Sequence, residues 1–514
     1  MDKTKIYGVS FDESIPFGGE KRILDSVGLE NNYVVGERFV KDGKNDFDSA
    51  YPFGAIRRAC VKIENGKRHV ILEGEEGFSL TGEAGEVMVR IPKFYSKREK
   101  QGSVEKWMIS GTKHPGFALE PAFLRDGKEL DYVFVGAYNS APEQNGAASY
   151  SGACPSFCKP LEEYLTEYRE RGFDVYDLAL NLMLQKLILI EFATRRLKYE
   201  LGGFLFVEYY YRLHKGTAIH SVGKNYFTKA KLGRNFLYYP GMQMMFCCPK
   251  SHHPEPILRT LTEVGQDPEN PDLIRYTYDG EDLSPMLVPG QSHAGGFVQR
   301  NGMSDTLSYH TGRTNHIPPL TRDYPPTTLK AFLFKGTDAL PPMVTNEELV
   351  GMVNAFRYRG IENVWGNIWE FCAGLCVKEL SYYYTFDPAL YDSEPLSAWR
   401  CASFAAPEQN HLGEWNPTPP IWARTMGLDE KEPLMPLPAK TCYGEPGNYY
   451  DAAFYAYKDK DYSGEPLKNP HATYRVAVGG GYDHYWFGSL FTYRCFLGKN
   501  VRSWLYSTRI CLRK

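Results

Sequence analysis

Three groups of side chains in this sequence have types that could do chemistry. Cys247-Cys248 with His252-His253 offers metal-binding side chains. Adjacent cysteines lack the short spacer that lets two thiolates reach one tetrahedral zinc, so this group is expected in a surface loop, with no metal. Cys372 and Cys376 stand beside Trp365 and Trp369, a setting that suits buried free thiols. The third group is the chain's last stretch, 474–514. Between Tyr482 and Tyr506 it carries four tyrosines, three phenylalanines and two tryptophans, with His484, Arg494, Arg502 and several serines among them. The aromatic positions follow neither the two-residue period of a strand nor the 3.6-residue period of a helix. Tyr and Trp give large rigid contact area at low entropy cost, and Ser and Arg add hydrogen bonds, so this composition suits a binding surface. The competing reading is an irregular core segment. The sequence contains no GxGxxG opening a helix after a strand, no phosphate-binding loop, no HExxH and no GxSxG. No enzymatic activity and no cofactor are therefore expected.

The elements around the third group are simple to place. An apolar strand with Val476 and Val478 runs into Gly479, Gly480 and Gly481, and a closing strand is built on 507–512. Upstream, VKIENGKRHVILEG reads as a hairpin, because Asn65-Gly66 supplies the positive φ angles of a tight two-residue turn. GEVMVRIPKFY (85–95) and DYVFVGAY (131–138) read as strands, and 161–171 as a short charged helix. The run 176–201 is apolar almost all round and is expected to be the one long, buried, central helix, ending at Gly202-Gly203. Residues 203–342 read as loops and short strands elaborating the fold, 345–356 as a short helix, and 364–375 as a strand-like segment with two buried tryptophans.

Composition bounds the rest. An apolar fraction of 43% and a charged fraction of 24% are those of an ordinary globular chain. A net charge of -3 argues against a general nucleic-acid binder. No stretch is apolar enough to span a membrane as a helix, and the first residues lack the apolar region of a signal peptide. Eleven cysteines at irregular spacing do not form a disulfide framework. The expectation is a protein made in a reducing cytosol, with most thiols free and buried.

VWGNIWEF resembles the "GNVWEW" signature of the formylglycine-generating-enzyme branch of the C-type lectin fold, and VGGG…TRICL is similar to that branch's closing pattern. GVSFD, NDFDSAYPF, GEVMVRIPKFY, HPGFALEPAF, VFVGAY, YDLALNLMLQKLILIEFAT and the terminal block resemble, in order, phage tail and variable proteins of diversity-generating retroelements. The resemblance covers most of the chain. It departs from the oxidases of the branch: their cysteine pair lies a few residues apart, whereas Cys495 and Cys511 are far apart and Cys511 lies in the closing strand.

The resemblance implies an α+β fold: a C-type-lectin-like domain at 96–514 with its variable display block at 474–514, and a β-rich part at 1–95, separate or continuous. It implies a hypervariable receptor-binding protein of a phage or prophage tail tip, partnered by a cell-surface protein or glycan and by other tail proteins, and carried in the virion tail. The display set would be Tyr482, Asp483, His484, Tyr485, Phe487, Ser489, Tyr493, Arg494, Phe496, Asn500, Ser503 and Tyr506. The frame would be Gly479, Gly480, Trp504, Arg509 and Ile510. Rewriting the adenines of Asn codons reaches most of the display residue types but not Trp, so Trp486 and Trp504 are expected to be fixed, with Trp504 packed beneath the display face. The alternatives are a formylglycine-generating-type oxidase and an invariant structural tail protein.

Overall fold

The structure, a computed structural model, describes residues 1–15, 19–31, 45–195 (except 152, 154 and 158), 197, 201, 219–230, 240, 243–246, 257–285, 287, 289, 297–299, 357–407 (except 367, 394 and 395), 422–442, 450, 454–456, 469, 471–480, 489–502 and 506–513. Strands hold 42% of the described residues and helices 13%, with only two α-helices among them. The chain is therefore mainly β, and the expected α+β, C-type-lectin-like fold class is corrected. One long apolar helix dominates the sequence pattern, but many runs of two to ten residues close into sheets instead. The region read as loops, 203–342, contributes a six-stranded sheet running from Ile219–Gly223 to Phe297–Gln299. The expected helix at 345–356, the Cys247-Cys248 and His252-His253 group, Trp486 and Trp504 lie outside the described residues.

The central helix α2 spans Leu178–Phe192. The Asp177 side chain caps it by accepting from the Leu180 N–H at 2.9 Å. It ends well before Gly202-Gly203. Ala193 adopts φ 50°, and Arg22 binds the last carbonyls, Ile190 O at 2.8 Å and Glu191 O at 2.6 Å. Every residue from Leu178 to Glu191 is buried. Its polar members survive burial because each is bonded: Lys186 pairs with Glu120 at 2.9 Å, and Glu191 receives Asn45, Tyr358 and Arg359.

The other helix, α1, spans Leu161–Glu170 and buries Leu161, Tyr164, Leu165 and Tyr168 against a second core cluster. The hairpin forms as expected, Arg57–Glu64 with Lys67–Leu72, with Asn65 and Gly66 both at positive φ. Its sheet continues through Glu86–Pro92 and Tyr132–Gly136 to the chain's last strand, Ile510–Leu512. One sheet thus joins residues on both sides of position 95 to the C-terminus. The sheet that positions the terminal block runs Arg400–Ala405, Ser381–Tyr384, Trp369–Lys378, Tyr474–Val478, Tyr493–Leu497 and Phe454–Tyr455, with Tyr506–Ser507 added in parallel to Trp369–Lys378.

Candidate functional site

The terminal block is held from beneath. Gly479, at φ 86°, turns the chain out of the Tyr474–Val478 strand; its carbonyl accepts from Gly366 N at 2.9 Å and its N–H donates to Thr492 O at 3.2 Å. A side chain there would face the strain of the left-handed region. The Ser489 carbonyl accepts from Thr492 N at 3.0 Å, which leads the chain into the Tyr493–Leu497 strand.

Arg509 fixes the closing strand. Its Nε and Nη2 donate to Glu370, Nη2 at 2.5 Å, while Nη1 donates to Gly136 O at 3.0 Å. Nη2 also donates to the Glu362 and Asn363 carbonyls at 2.9 and 3.0 Å. Asn139 donates to the same carboxylate. Burial pushes the Glu370 carboxyl up, against the pull of Arg509 and Asn139. On the side of α1, Arg475 donates to Glu162 at 2.7 Å and to Cys376 Sγ at 3.1 Å, and Arg502 pairs with Glu163.

Strand alternation decides which terminal residues can meet a ligand. Val478 pairs with Tyr493 and Ala477 with Arg494, so these two neighbours face opposite ways. Tyr493 points into the core, and its hydroxyl accepts from Gln185 Nε2 at 2.8 Å and Asn181 Nδ2 at 3.2 Å, both on α2. Burial pushes the Tyr493 phenol far up. Arg494 faces the other side, where Phe496 joins it, both half-buried. The Arg494 guanidinium carbon lies 4.9 Å from the ring centre of Phe496, 5.4 Å from that of Trp369 and 5.4 Å from that of Tyr506. The Tyr506 ring packs in turn on Phe371, 5.5 Å between centres. The Nε and Nη1 atoms of Arg494 are buried, yet among the described residues no acceptor bonds them.

Three expected display residues are corrected. Ser489 and Tyr493 are 0% exposed and Tyr506 is 3% exposed. Tyr493 is drawn inward by the amides of α2, and Tyr506 by its pairing beside Trp369 and its packing on Phe371. For these three the competing reading as core holds. Arg494 and Phe496 come together, both half-buried, on the face whose inner residues Trp369, Phe371 and Tyr506 join the core cluster under α1, and Asn500 is exposed in the turn beyond the strand. Tyr482, Asp483, His484, Tyr485, Phe487 and Ser503 lie outside the described residues. Trp365 and Trp369 are buried, as expected; the nearness of Trp369 to Arg494 depends on strand pairing and was not legible in the sequence.

The cysteines take other places. Cys372, Cys376, Cys495 and Cys511 are buried free thiols, and burial pushes Cys372, Cys495 and Cys511 well above the usual thiol range. Among the described residues, no three or more His, Cys, Asp or Glu side chains converge to hold a metal ion, and no helix is long and apolar enough to cross a membrane. No known protein family matches this chain, and no curated protein is detectably similar to it.

Proposed function

We propose that the protein binds a ligand on a cell surface, protein or glycan, through its C-terminal sheet at the half-buried Arg494 and Phe496, which rest on the buried rings of Trp369 and Tyr506. The observation that carries this reading is the Arg494 guanidinium. Three aromatic rings surround it, and its Nε and Nη1 donors are buried without an acceptor. A buried donor without an acceptor costs about 1–3 kcal/mol, more for a charged group, and a bound ligand that supplies the acceptor recovers that cost. Aromatic and arginine side chains grouped on one face are also the types that dominate binding energy. The phage or prophage tail-tip setting, with a retroelement rewriting the terminal block, rests on the sequence resemblance. Comparing residues 482–506 across sibling isolates tests it: variation confined to adenine-containing codons supports it, and an invariant block overturns it.

A formylglycine-generating-type oxidase is the less favoured reading. Thiolates do the chemistry in such an enzyme, and the buried, upward-shifted Cys495 and Cys511 hold their protons at neutral pH.

Labelled full-length protein applied to bacterial envelope fractions should bind saturably. Phe496→Ala should remove that binding while the melting temperature stays within about 5 °C of the parent, since Phe496 is only half-buried. Absence of saturable binding to any envelope tested, or a Phe496→Ala variant that binds as the parent does, rejects the reading.

A further inference from the structure

We infer that the tip of the hairpin formed by Trp422–Met426 and Pro438–Cys442 is a proton-operated clasp, shut between two sheets while Glu432 carries a proton and loosened when Glu432 is charged.

The clasp is first a matter of geometry. On one side of the tip, Arg98 and Lys100 of the Tyr95–Gln101 strand donate to Gly427 O and Met426 O, each at 2.6 Å. Met426 N donates to Glu13 at 2.8 Å. On the other side, Ser403 N of the Arg400–Ala405 strand donates to Asp429 at 2.7 Å, and the Tyr382 hydroxyl donates to Pro438 O at 2.9 Å. Leu434, Met435 and Leu437 are buried beneath the tip. These contacts join the N-terminal sheet to the C-terminal one through a single loop.

The middle of the loop is held less well. The buried Asp429 carboxylate is satisfied by the backbone N–H groups of Ser403, Lys431 and Glu432. Glu432 is half-buried and accepts no hydrogen bond among the described residues; Arg400 Nη1 stands off at 3.8 Å, on a side chain that is itself 61% exposed. Lys186 of α2 also attracts Glu432, but it is bonded to Glu120 at 2.9 Å, and Ser96 donates to the other oxygen of Glu120 at 2.5 Å. Two carboxylates thus share one buried ammonium, and Asp429 adds a third negative charge. The Tyr384 phenol faces Glu432 as well, and Arg98 stands against Lys186. A charged Glu432 is poorly matched in this setting, and a neutral one is not.

Burial pushes the Glu432 carboxyl up to about 7; Glu120 and Asp429 add to the rise, and Lys186 and Arg400 oppose it. An opened tip returns Glu432 to water and to its ordinary value of 4.5. Between these two values the closed form holds a proton that the open form releases, so rising pH favours opening. Closure is fully favoured below the window, and the loss is complete above it.

Hydrogen exchange of the full-length protein at pH 5 and pH 8, corrected for intrinsic exchange rates, tests the clasp. Protection of the amides at 427–437 should fall by about tenfold or more from the lower pH to the higher. Glu432→Gln mimics the protonated acid and should keep the high protection at both. Arg400→Ala removes an opposing cation from an exposed side chain, so the midpoint of the fall should move to higher pH; this variant also serves should Glu432→Gln fail to fold. Protection in the parent that is independent of pH overturns the clasp, as does a Glu432→Gln protein that keeps the parent's fall. A midpoint that stays or moves down in Arg400→Ala overturns it too. So does an equal fall in the Arg57–Glu64 and Lys67–Leu72 hairpin, because the effect would then belong to the whole fold.

Discussion

Arg494 and Arg509 stand fifteen positions apart in the same terminal block, and the protein treats them in opposite ways. Around Arg509 every guanidinium nitrogen meets an oxygen: Glu370 and the carbonyls of Gly136, Glu362 and Asn363. Around Arg494 the neighbours are rings, and Nε and Nη1 meet no acceptor among the described residues. The first arrangement ties the closing strand to two sheets and to the loop at Glu362. The second holds a charge in place without discharging it. An arginine whose edge is filled by the fold is a strut. One surrounded by rings keeps donors that nothing among the described residues accepts from.

The largest effect should come from breaking the strut. Arg509→Ala leaves Glu370 as a buried carboxylate with one side-chain donor, Asn139, remaining among the described residues. Removing one partner of a buried pair typically costs about 3–5 kcal/mol. Urea denaturation should show that loss as a lowered midpoint with an unchanged slope. A cost below about 1 kcal/mol would show that the two arginines do not differ in kind.

A smaller effect should follow at Tyr493, which sharpens the comparison one residue away from Arg494. Tyr493→Phe keeps the ring and deletes the hydroxyl that accepts from Gln185 and Asn181. Two buried amide groups then lose an acceptor, at about 1–3 kcal/mol. Thermal unfolding should register the change while envelope binding stays at the parental level. Binding that falls with stability unchanged would instead return Tyr493 to the ligand face.

These neighbours also show what could be read from the chain. The hairpin at Asn65-Gly66 and the helix from Leu178 were legible because their causes are local: a turn that needs positive φ, and an unbroken apolar run behind a capping aspartate. The terminal block was legible as unusual in composition; of its expected display residues, Arg494 and Phe496 are half-buried and Asn500 is exposed. Which aromatics turn inward was not legible. Tyr493 is buried because of amides 308 and 312 positions earlier in the chain. Trp369 reaches Arg494 only through pairing of distant strands. A five-residue strand, YRCFL, shows alternation too briefly to declare its inner face. The predominance of β structure escaped for a similar reason. The sheet between Ile219 and Gln299 is assembled from short strands interrupted by turns, and each alone looks like loop.

The smallest stability effect should be at Arg494 itself, and it is the sharpest test of the contrast. Arg494→Gln gives up cation–π attraction to three rings, about 0.5–2 kcal/mol. It also removes charged donors that are buried without an acceptor, a relief of about 1–3 kcal/mol. The two nearly cancel, so the unfolding free energy should stay within about 1 kcal/mol of the parent, or rise. Envelope binding then separates the variants again: Arg494→Gln should lose it at unchanged stability. A variant destabilised as strongly as Arg509→Ala would mean that the aromatic surround is holding the fold together through this charge. In that event the unmatched edge of Arg494 is a cost of packing, and the binding face must be sought elsewhere on the molecule.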